Sequence, residues 1–339
     1  MKNDYRFIVV CIDTELYDSV YSQLNELSYA HFDNHYPHTY LEKKLYKVHF
    51  SDRVNNIIEL PFKEIWIDRR INYYYKILSN MDTDNEKLCF ILFSDCLQLE
   101  QYGFSKKLKT KFPDCRIVYY FQDLISQDVS KQVFIKNIPS QIDLVYTFDY
   151  ADAENYGLEF HDIPYSYPQK ESCENVQYDI SFVGAAKNRL DDIIAVYEKL
   201  KKQNLKSFFY IVGADDKAKE SGQDIVYGPP LKYYDYLKIV EKSKCILEIM
   251  QKEGTGSTIR LGESIMYDKL LISNNKALKK SAFYNPQYML CIDDDDYSSI
   301  SEFVKQYPIV QKSKEEILPE NLLLSVKERL DEKFGNENI

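Results

Sequence analysis

A glycine turn between an apolar run and a helical stretch is the first feature that could bind a ligand. Ile180–Val183 is apolar, Gly184 and two alanines follow, and Lys187 and Arg189 precede a strongly helical sequence. Backbone N–H groups at a helix N-terminus, combined with cationic side chains, suit a phosphate. The alternative is an ordinary strand-to-helix turn with solvated basic side chains. Gly213 follows another apolar run and repeats the pattern.

A second stretch with glycines lies between residues 251 and 263. Its polar and glycine residues are Gln251, Gly254, Gly256, Ser257, Thr258, Arg260 and Glu263. Ser257 or Thr258 can cap a helix, and Arg260 and Glu263 would share one face of it. Arg260 could bind a diphosphate through two N–H donors, and Glu263 could accept hydrogen bonds from two ribose hydroxyls. The alternative is a surface ion pair worth about 0–1 kcal/mol. Two anion-binding turns in one half of the chain favour the functional interpretation.

Carboxylates that could act as a general base toward a hydroxyl or water follow several apolar runs in the first half of the chain. The candidates are Asp13, Glu15, Asp95, Asp123 and Asp149. Acidic residues at such positions also cap the helix that follows, and capping is the alternative for each of them.

Two clusters resemble metal sites. His31, His35 and His38 lie close together, but Pro37 interrupts any helix there, and the glutamate of an HExxH motif is missing. Four aspartates, Asp293–Asp296, precede a helical stretch, where negative charge is favourable. We therefore expect no metal. GAAKNR matches neither GxGxxG nor a P-loop, so we also expect no dinucleotide cofactor.

Strands and helices must position these residues. Apolar runs predict strands at 7–12, 88–93, 116–121, 143–148, 179–183, 207–212, 244–249, 269–273 and 288–292. Helical patterns predict helices at 62–78, 104–112, 188–202, 232–242, 258–267 and 298–306. Continuous apolar strands separated by helices indicate parallel sheets covered on both faces. Two such sets predict an α/β fold with two doubly wound, Rossmann-like domains that face a cleft.

The domain boundary is expected in the polar segment 149–177, which carries Pro164 and Pro168. We place it near residue 170. This gives an N-terminal domain at 1–170, a C-terminal domain at 171–311 and a C-terminal segment at 312–339. A helix predicted at 319–333 could pack on either domain.

Bulk properties exclude several classes of protein. The formal net charge of −10 argues against general binding to nucleic acid. The N-terminus has no apolar signal-peptide core, and no apolar stretch approaches the ~20 residues of a membrane span. The seven scattered cysteines include no CxxC pair and suit buried, reduced thiols. We expect a cytoplasmic protein that at most contacts the inner face of a membrane. One basic run, Lys106–Lys111, is either a solvated helix face or a contact for anionic lipid.

The second half of the chain resembles the C-terminal domain of GT-B glycosyltransferases, especially bacterial enzymes of capsule, exopolysaccharide and lipopolysaccharide assembly. The matching stretches are YTFDYADAENYGLEF, YDISFVGAAKNRL, FFYIVG, SKCILEIMQ, GTGSTIRLGES and KLLISNN followed by FYNP. The likeness covers roughly residues 145–292, and the first half matches only in its alternation of strands and helices.

The resemblance implies a nucleotide-sugar donor held by the C-terminal domain, without a metal. It places the diphosphate near Gly184 and Lys187, phosphate and ribose near 254–263, and Glu263 on the ribose. Retaining members often carry two glutamates separated by seven residues. Here Glu248 and Glu253 are out of register with Glu263, so the stereochemical outcome stays open. In inverting members an acid of the N-terminal domain takes the acceptor proton. Asp13 is the first candidate, followed by Asp95, Asp123 and Glu15.

The sequence therefore predicts a metal-independent glycosyltransferase that acts on a surface polysaccharide, a lipid-linked sugar or a protein-linked sugar. Two alternatives remain. One is a non-hydrolysing nucleotide-sugar epimerase, which would act on the donor alone. The other is a degenerate GT-B subunit that binds a partner.

Overall fold

The computed structural model describes residues 4–12, 14–55, 57–58, 60–81, 86–168, 175–214, 224–250, 254–292, 297–311 and 314–335. The chain forms two compact units. The first unit contains residues 1–148, 152–161 and 322–339, and the second contains residues 149–151 and 162–321.

The first unit is built on a six-stranded parallel sheet. Its strands are β1 Tyr5–Val10, β2 Ala30–Asp33, β3 Lys87–Phe93, β4 Arg116–Phe121, β5 Leu144–Thr147 and β6 Glu159–Phe160. Their order in the sheet is β2-β1-β3-β4-β5-β6. Most side chains of β1, β3 and β4 are buried whichever face they point to, because helices cover both faces. The strand order reverses direction between β1 and β3, which is a topological switch point.

Helices connect these strands. They span Glu15–Val20, Tyr40–His49, Asp52–Asn55, Glu64–Ser79, Leu97–Glu100, Phe104–Lys111, Val129–Lys136 and Tyr150–Tyr156, with short 3-10 helices at Ser22–Glu26 and Ser94–Cys96. The C-terminal helix Pro319–Phe334 completes the unit. Tyr146 donates to the Ser325 carbonyl at 3.1 Å, and Tyr5 donates to Asp331 at 3.2 Å, so this helix packs beside the sheet of the first unit.

The second unit has its own six-stranded parallel sheet. The strands are β7 Tyr178–Ala185, β8 Ser207–Val212, β9 Ile225–Gly228, β10 Ser243–Glu248, β11 Leu270–Ser273 and β12 Met289–Cys291. Their order, β12-β11-β10-β7-β8-β9, is the Rossmann order 3-2-1-4-5-6 read from the other edge. The helices span Leu190–Lys202, Tyr233–Glu241, Ile259–Met266 and Ile300–Val304, with a 3-10 helix at Lys276–Lys280. The switch point lies between β7 and β10.

The two doubly wound sheets confirm the predicted α/β fold class. All nine predicted strands are present, with bounds shifted by at most two residues at each end. Three short strands, β2, β6 and β9, were missed. The segment interpreted as a linker holds a helix and β6, which pairs in parallel with β5. Residues 149–151 and the chain from Asp162 onward belong to the second unit, and the domain boundary near residue 170 stays a prediction.

Candidate functional site

The switch point of the second sheet brings together the two glycine-containing stretches. β7 and β10 are adjacent and parallel, with Ile180 opposite Cys245. In an open α/β sheet, a crevice forms at the carboxyl ends of the two strands where the order reverses. The turn that carries Lys187 follows β7, and the loop that precedes Arg260 follows β10. The sequence predicted both stretches; their placement on neighbouring strands is a result of the topology.

Gly184 lies one residue before the end of β7, where the Phe182 ring leaves little room for a side chain and two arginines approach the backbone. A Cβ added to Gly184 would lie 3.0 Å from the Phe182 ring, and 3.4 Å from Nη2 of both Arg189 and Arg260. Lys187 is exposed at the tip of the turn with a φ of +44°. The turn therefore presents one solvent-facing cation and two guanidinium groups beside a close backbone approach.

Arg189 and Arg260 are held by backbone carbonyl groups rather than by carboxylates. Nε and Nη2 of Arg189 each donate to the Ala185 carbonyl at 3.3 Å, and Nη1 donates to the Ile249 carbonyl. Arg189 thus joins the end of β7 to the residue after β10. Arg260 donates from Nη2 to the Val183 carbonyl, and its buried Nε has no acceptor among the described residues. Within that part of the chain, no carboxylate oxygen lies within 4.0 Å of either guanidinium.

The pKa values of the two arginines are shifted in opposite directions. Burial lowers the pKa of Arg189 to about 10, the charge of Arg260 contributes in the same direction, and Glu248 opposes it. Burial alone would lower the pKa of Arg260, but nearby Tyr236 and Glu263 outweigh it, so that pKa is raised. Arg260 therefore already lies in the field of Glu263 and Glu248, whereas Arg189, whose pKa is lowered, is the less compensated cation of the two.

The loop after β10 is fixed by a carboxylate of the chain itself. Asp149, which is 1% exposed, accepts hydrogen bonds from the Thr255 amide at 2.6 Å, the Gly256 amide at 2.7 Å and the Thr255 hydroxyl at 2.9 Å. The Thr255 hydroxyl in turn accepts from the Ala151 amide at 2.9 Å. Two loop amides that the sequence offered to a phosphate are therefore already satisfied. Asp149 anchors the loop, a role that the sequence did not predict for it.

The helix that follows begins with a capped N-terminus. Thr258 is the N-cap and accepts from the Arg260 amide at 3.3 Å, as the sequence allowed. Its hydroxyl donates to Glu248, which also accepts from Ser273. Glu248 is 2% exposed at the end of β10. The sequence assigned Glu248 no role, because its spacing to Glu263 does not match the glutamate pair of retaining enzymes. A single carboxylate at the end of an apolar strand could nevertheless have indicated it. Gly254 and Ser257 lie in the same loop, and Ser257 is buried.

Glu263 lies at the centre of a tyrosine cluster. One carboxylate oxygen accepts from the Tyr233 hydroxyl at 2.7 Å, and the other accepts from Tyr236. Tyr233 also pairs with Tyr165 at 2.8 Å. Burial raises the pKa of Glu263 and outweighs the lowering by Arg260 and by the tyrosine hydroxyls. The sequence identified Glu263 but not the tyrosines: Tyr233 and Tyr236 come from the helix Tyr233–Glu241, and Tyr165 lies in a segment without helix or strand. The ribose-binding role of Glu263 stays a prediction.

In the first unit, Asp95 lies at the switch point between β1 and β3. Its Oδ2 accepts from the Ile12 amide at 2.8 Å. Burial raises the pKa of Asp95 to about 6, although the Ile12 hydrogen bond and Arg70 act in the opposite direction. Of the described strand-end carboxylates, Asp95 has the properties of a base that is ionised at pH 7 yet retains basicity. A cavity of about 190 Å³, lined in part by Ile12, Tyr36 and Lys43, opens nearby in this unit.

The remaining predicted residues are distributed as follows. Asp13 and Gln251 lie outside the described residues. Glu15 begins the helix capped by Thr14. The side chain of Asp123 is 78% exposed and lies 3.4 Å from Lys131. Gly213 follows β8 with a φ of +74°, a conformation that favours glycine.

The histidines of the first cluster that resembled a metal site contact neighbouring side chains. His31 lies in β2 and its Nε2 is 3.2 Å from the Tyr73 hydroxyl, while His38 packs on the Tyr73 ring at 4.4 Å. His35 lies 3.6 Å from Asp18. The aspartates at 293–296 are outside the described residues. Among the residues that are described, no group of three or more histidine, cysteine or acidic side chains could hold a metal.

Most lysines of the basic run are engaged within the first unit. Lys107 pairs with Asp68 at 2.6 Å, and Lys109 pairs with Asp143 at 3.2 Å. Lys111 lies 3.8 Å from the centre of the Tyr75 ring. The run is therefore a helix face tied to neighbouring side chains. No helix within the described ranges has both the length and the apolar character of a membrane span.

Comparison with solved structures finds limited similarity. One match is TarM, with a TM-score of 0.47 and 11% identity over 71% of this chain and 51% of TarM, so that the chain spans about half of that protein. A second is a protein described as a UDP-N-acetylglucosamine 2-epimerase from Listeria monocytogenes, with a TM-score of 0.46 and 10% identity over 98% of both chains. A third is an alpha-glucosyltransferase in complex with UDP-glucose and DNA containing an abasic site, with a TM-score of 0.46 and 13% identity over 70% of this chain and 74% of the other.

The third match is described as a glucosyltransferase, the class that the sequence resemblance named, and the second as an epimerase, which was one of the alternatives. No family model and no curated protein matches the chain. At such low identities and TM-scores the matches carry no argument about activity. The two Rossmann-like sheets are established by the strand order of the chain itself.

Proposed function

We propose that this protein is a glycosyltransferase that uses a nucleotide diphosphate sugar as donor and a glycan as acceptor. The observation that carries the proposal is the pair of arginines at the switch point of the second sheet. Both guanidinium groups approach Gly184, neither has a carboxylate partner among the described residues, and the Arg260 Nε has no acceptor there. A diphosphate would supply an anion in direct contact with the guanidinium groups and an acceptor for the Arg260 Nε.

Each residue of the pair has a separate role in the proposal. Arg189 holds the carboxyl ends of β7 and β10 together through the Ala185 and Ile249 carbonyls, so it shapes the crevice. Arg260 and the exposed Lys187 bind the diphosphate. As the bond to the sugar breaks, negative charge grows on the departing diphosphate, and fixed cations stabilise it without a metal ion.

The acceptor step needs a base that removes a hydroxyl proton. Asp95 is the described carboxylate that suits this step, because its pKa of about 6 leaves it ionised at pH 7. Asp13, the first candidate from the sequence, remains the alternative general base. The acceptor belongs to the class of surface polysaccharides or lipid-linked or protein-linked sugars.

The test is calorimetric titration of UDP, GDP, CDP, dTDP and ADP, each with and without EDTA. One diphosphate should bind, and EDTA should not weaken it. Lys187→Gln should reduce its affinity about tenfold, because one hydrogen-bonded charge contact is lost. Lys202→Gln is the matched control, since Lys202 is an exposed lysine at the far end of the helix that follows Lys187.

Two results would overturn the proposal. If no diphosphate binds at millimolar concentration, the switch point of the second sheet is not a donor site. If the protein converts a nucleotide sugar to its epimer in the absence of any acceptor, the activity is epimerisation and not transfer.

A further inference from the structure

Another cavity in the first unit lies at the start of the helix Glu64–Ser79. Its volume is about 280 Å³, and it is lined by Leu60, Pro61, Phe62, Lys63, Glu64 and Tyr102. Five of these residues lead into the helix, and Tyr102 lies between the helices Leu97–Glu100 and Phe104–Lys111. None of the lining residues that the structure describes belongs to a strand or directly follows one. The cavity is therefore separate from the strand ends that carry Asp95.

Lys63 is a buried cation in this cavity and has no anionic partner. The residue is 5% exposed, and among the described residues no carboxylate oxygen lies within 4.0 Å of its Nζ. The ammonium contacts the Tyr102 ring, whose centre lies 5.6 Å away. Burying a charge is unfavourable unless an opposite charge or hydrogen bonds compensate it, and an aromatic face compensates it only in part. The ammonium therefore retains the capacity to bind an anion.

The backbone at this end of the helix favours the same kind of ligand. Lys63 is the N-cap of a helix of 16 residues, and no side chain caps the helix there. The N-terminus of a helix carries partial positive charge, which adds to the charge of Lys63. Glu64, the first residue of the helix, is exposed, so that water screens its carboxylate. Positive charge is thus concentrated on the buried side of the cavity.

Two aromatic rings form much of the remaining lining. Tyr102 packs edge-on against the Phe50 ring, with the ring centres 6.0 Å apart, and its hydroxyl has no hydrogen-bond partner among the described residues. Phe62 is 68% exposed and has a φ of +65°, a conformation that costs energy for a non-glycine residue and is concentrated at functional sites. The face of an aromatic ring is electron-rich and attracts the C–H groups of a sugar ring.

We propose that this cavity binds one sugar unit that carries an anionic group, either a carboxylate or a phosphate. The anionic group bonds to Lys63 at the helix N-terminus, and the sugar ring packs on Tyr102 and Phe62. The Tyr102 hydroxyl and the Glu64 carboxylate bond to ring hydroxyls. Pockets for drug-sized ligands enclose about 300–1,000 Å³, so the smaller volume here suits a single ring rather than a nucleotide sugar.

The binding of such a sugar does not depend on the transfer reaction proposed above. One consequence does rest on that proposed function. Asp95, the proposed base, is not among the residues that line this cavity, so the bound sugar would be a unit of the acceptor glycan that does not react. A glycan held at a second point stays at a high local concentration near the reacting residues.

The test is calorimetric titration of the full chain with glucose 6-phosphate and with glucuronate. Glucose and inorganic phosphate are the reference ligands. At least one anionic sugar should bind about tenfold more tightly than both reference ligands, because the charge and the ring each contribute. Binding of glucose 6-phosphate alone identifies the anionic group as a phosphate, and binding of glucuronate alone identifies it as a carboxylate. Either result supports the proposal.

Variants locate the bound sugar. Lys63→Met keeps the apolar part of the side chain and should reduce the affinity for the anionic sugar about tenfold or more. Tyr102→Leu should reduce it as well, whereas Tyr102→Phe should have a smaller effect because the ring remains. Lys106→Met is the matched control, since Lys106 is an exposed lysine four residues after Tyr102, and it should bind like wild type. Lys63→Met should retain the wild-type unfolding midpoint, because methionine fills a similar volume without a buried charge.

Four results would overturn the proposal. Neither anionic sugar binds at millimolar concentration, a reference ligand binds as tightly as the anionic sugars, or Lys63→Met binds them like wild type. The fourth result is a loss of sugar binding in Lys187→Gln, which would place the sugar in the second unit. That result leaves the proposed donor site standing, whereas a failure to bind any nucleoside diphosphate leaves the sugar site standing, so the two proposals fail separately.

Discussion

Replacing Asp149 tests whether one buried carboxylate organises the loop at the switch point of the second sheet. Asp149→Ala removes the acceptor of three hydrogen bonds, two from the Thr255 and Gly256 amides and one from the Thr255 hydroxyl. The donors come from residues 106 and 107 positions along the chain. The loop would therefore lose its attachment to this distant segment.

The expected loss of stability in Asp149→Ala follows from the number and type of these hydrogen bonds. A hydrogen bond to a charged group contributes about 1.5–3 kcal/mol, and a buried N–H left without a partner costs about 1–3 kcal/mol. The sum of these contributions overstates the loss of stability, because water can enter the space that the carboxylate leaves and can bond to the amides. We expect Asp149→Ala to lower the free energy of unfolding by about 3 kcal/mol, and the melting temperature by about 6–12 °C. Asp149→Asn keeps one acceptor oxygen and should cost about half as much.

Urea denaturation followed by circular dichroism measures the loss, and amide hydrogen exchange of residues 254–258 measures loop opening. The control is Asp224→Ala, because the Asp224 side chain is 90% exposed and 3.8 Å from Lys201, so its loss should change stability by less than about 0.5 kcal/mol. Diphosphate affinity should fall in Asp149→Ala, because the loop precedes Arg260. If Asp149→Ala lowered the free energy of unfolding by less than about 0.5 kcal/mol and left the amide hydrogen exchange of residues 254–258 unchanged, the anchoring role of Asp149 would be refuted.

Two further predictions concern Asp95 and Gly262. Asp95→Asn should lower kcat/KM by about 10²–10⁴, and the wild-type pH profile should decline below about pH 6, where the base becomes protonated. The folded-state pKa lies above the ordinary 3.8, so stability should decrease as pH rises from about 4 to 6, and Asp95→Asn should flatten that slope. A pH profile for kcat/KM that is unchanged in Asp95→Asn would exclude it as the base. Gly262→Ala would place a Cβ 2.7 Å from the Tyr165 Cβ, and overpacking should cost about 1–3 kcal/mol in urea denaturation. A neutral result would show that the helix Ile259–Met266 can move away from Tyr165.

The missed strands show the limit of pattern reading. β2, with the sequence AHFD, and β6, with the sequence EF, contain too few residues for a two-residue period to appear. Both exist because a neighbouring strand pairs with them, Phe7 with Ala30 and Tyr146 with Glu159. The helix Tyr40–His49 was missed because its apolar residues lie on two faces, and only one of these is covered by the protein.

The sequence by itself determined the alternation of strands and helices, the α/β class and the two glycine-containing stretches that contain Lys187 and Arg260. These features are local, since apolar periodicity, glycine and capping residues act within a few positions. The tertiary structure decided which turns share an edge, because strand order depends on pairing between distant segments. It also decided that Asp149 accepts hydrogen bonds from the loop amides and that tyrosines surround Glu263. A buried polar group must find a partner, but any donor that the fold brings near can satisfy it, so local sequence does not name that partner.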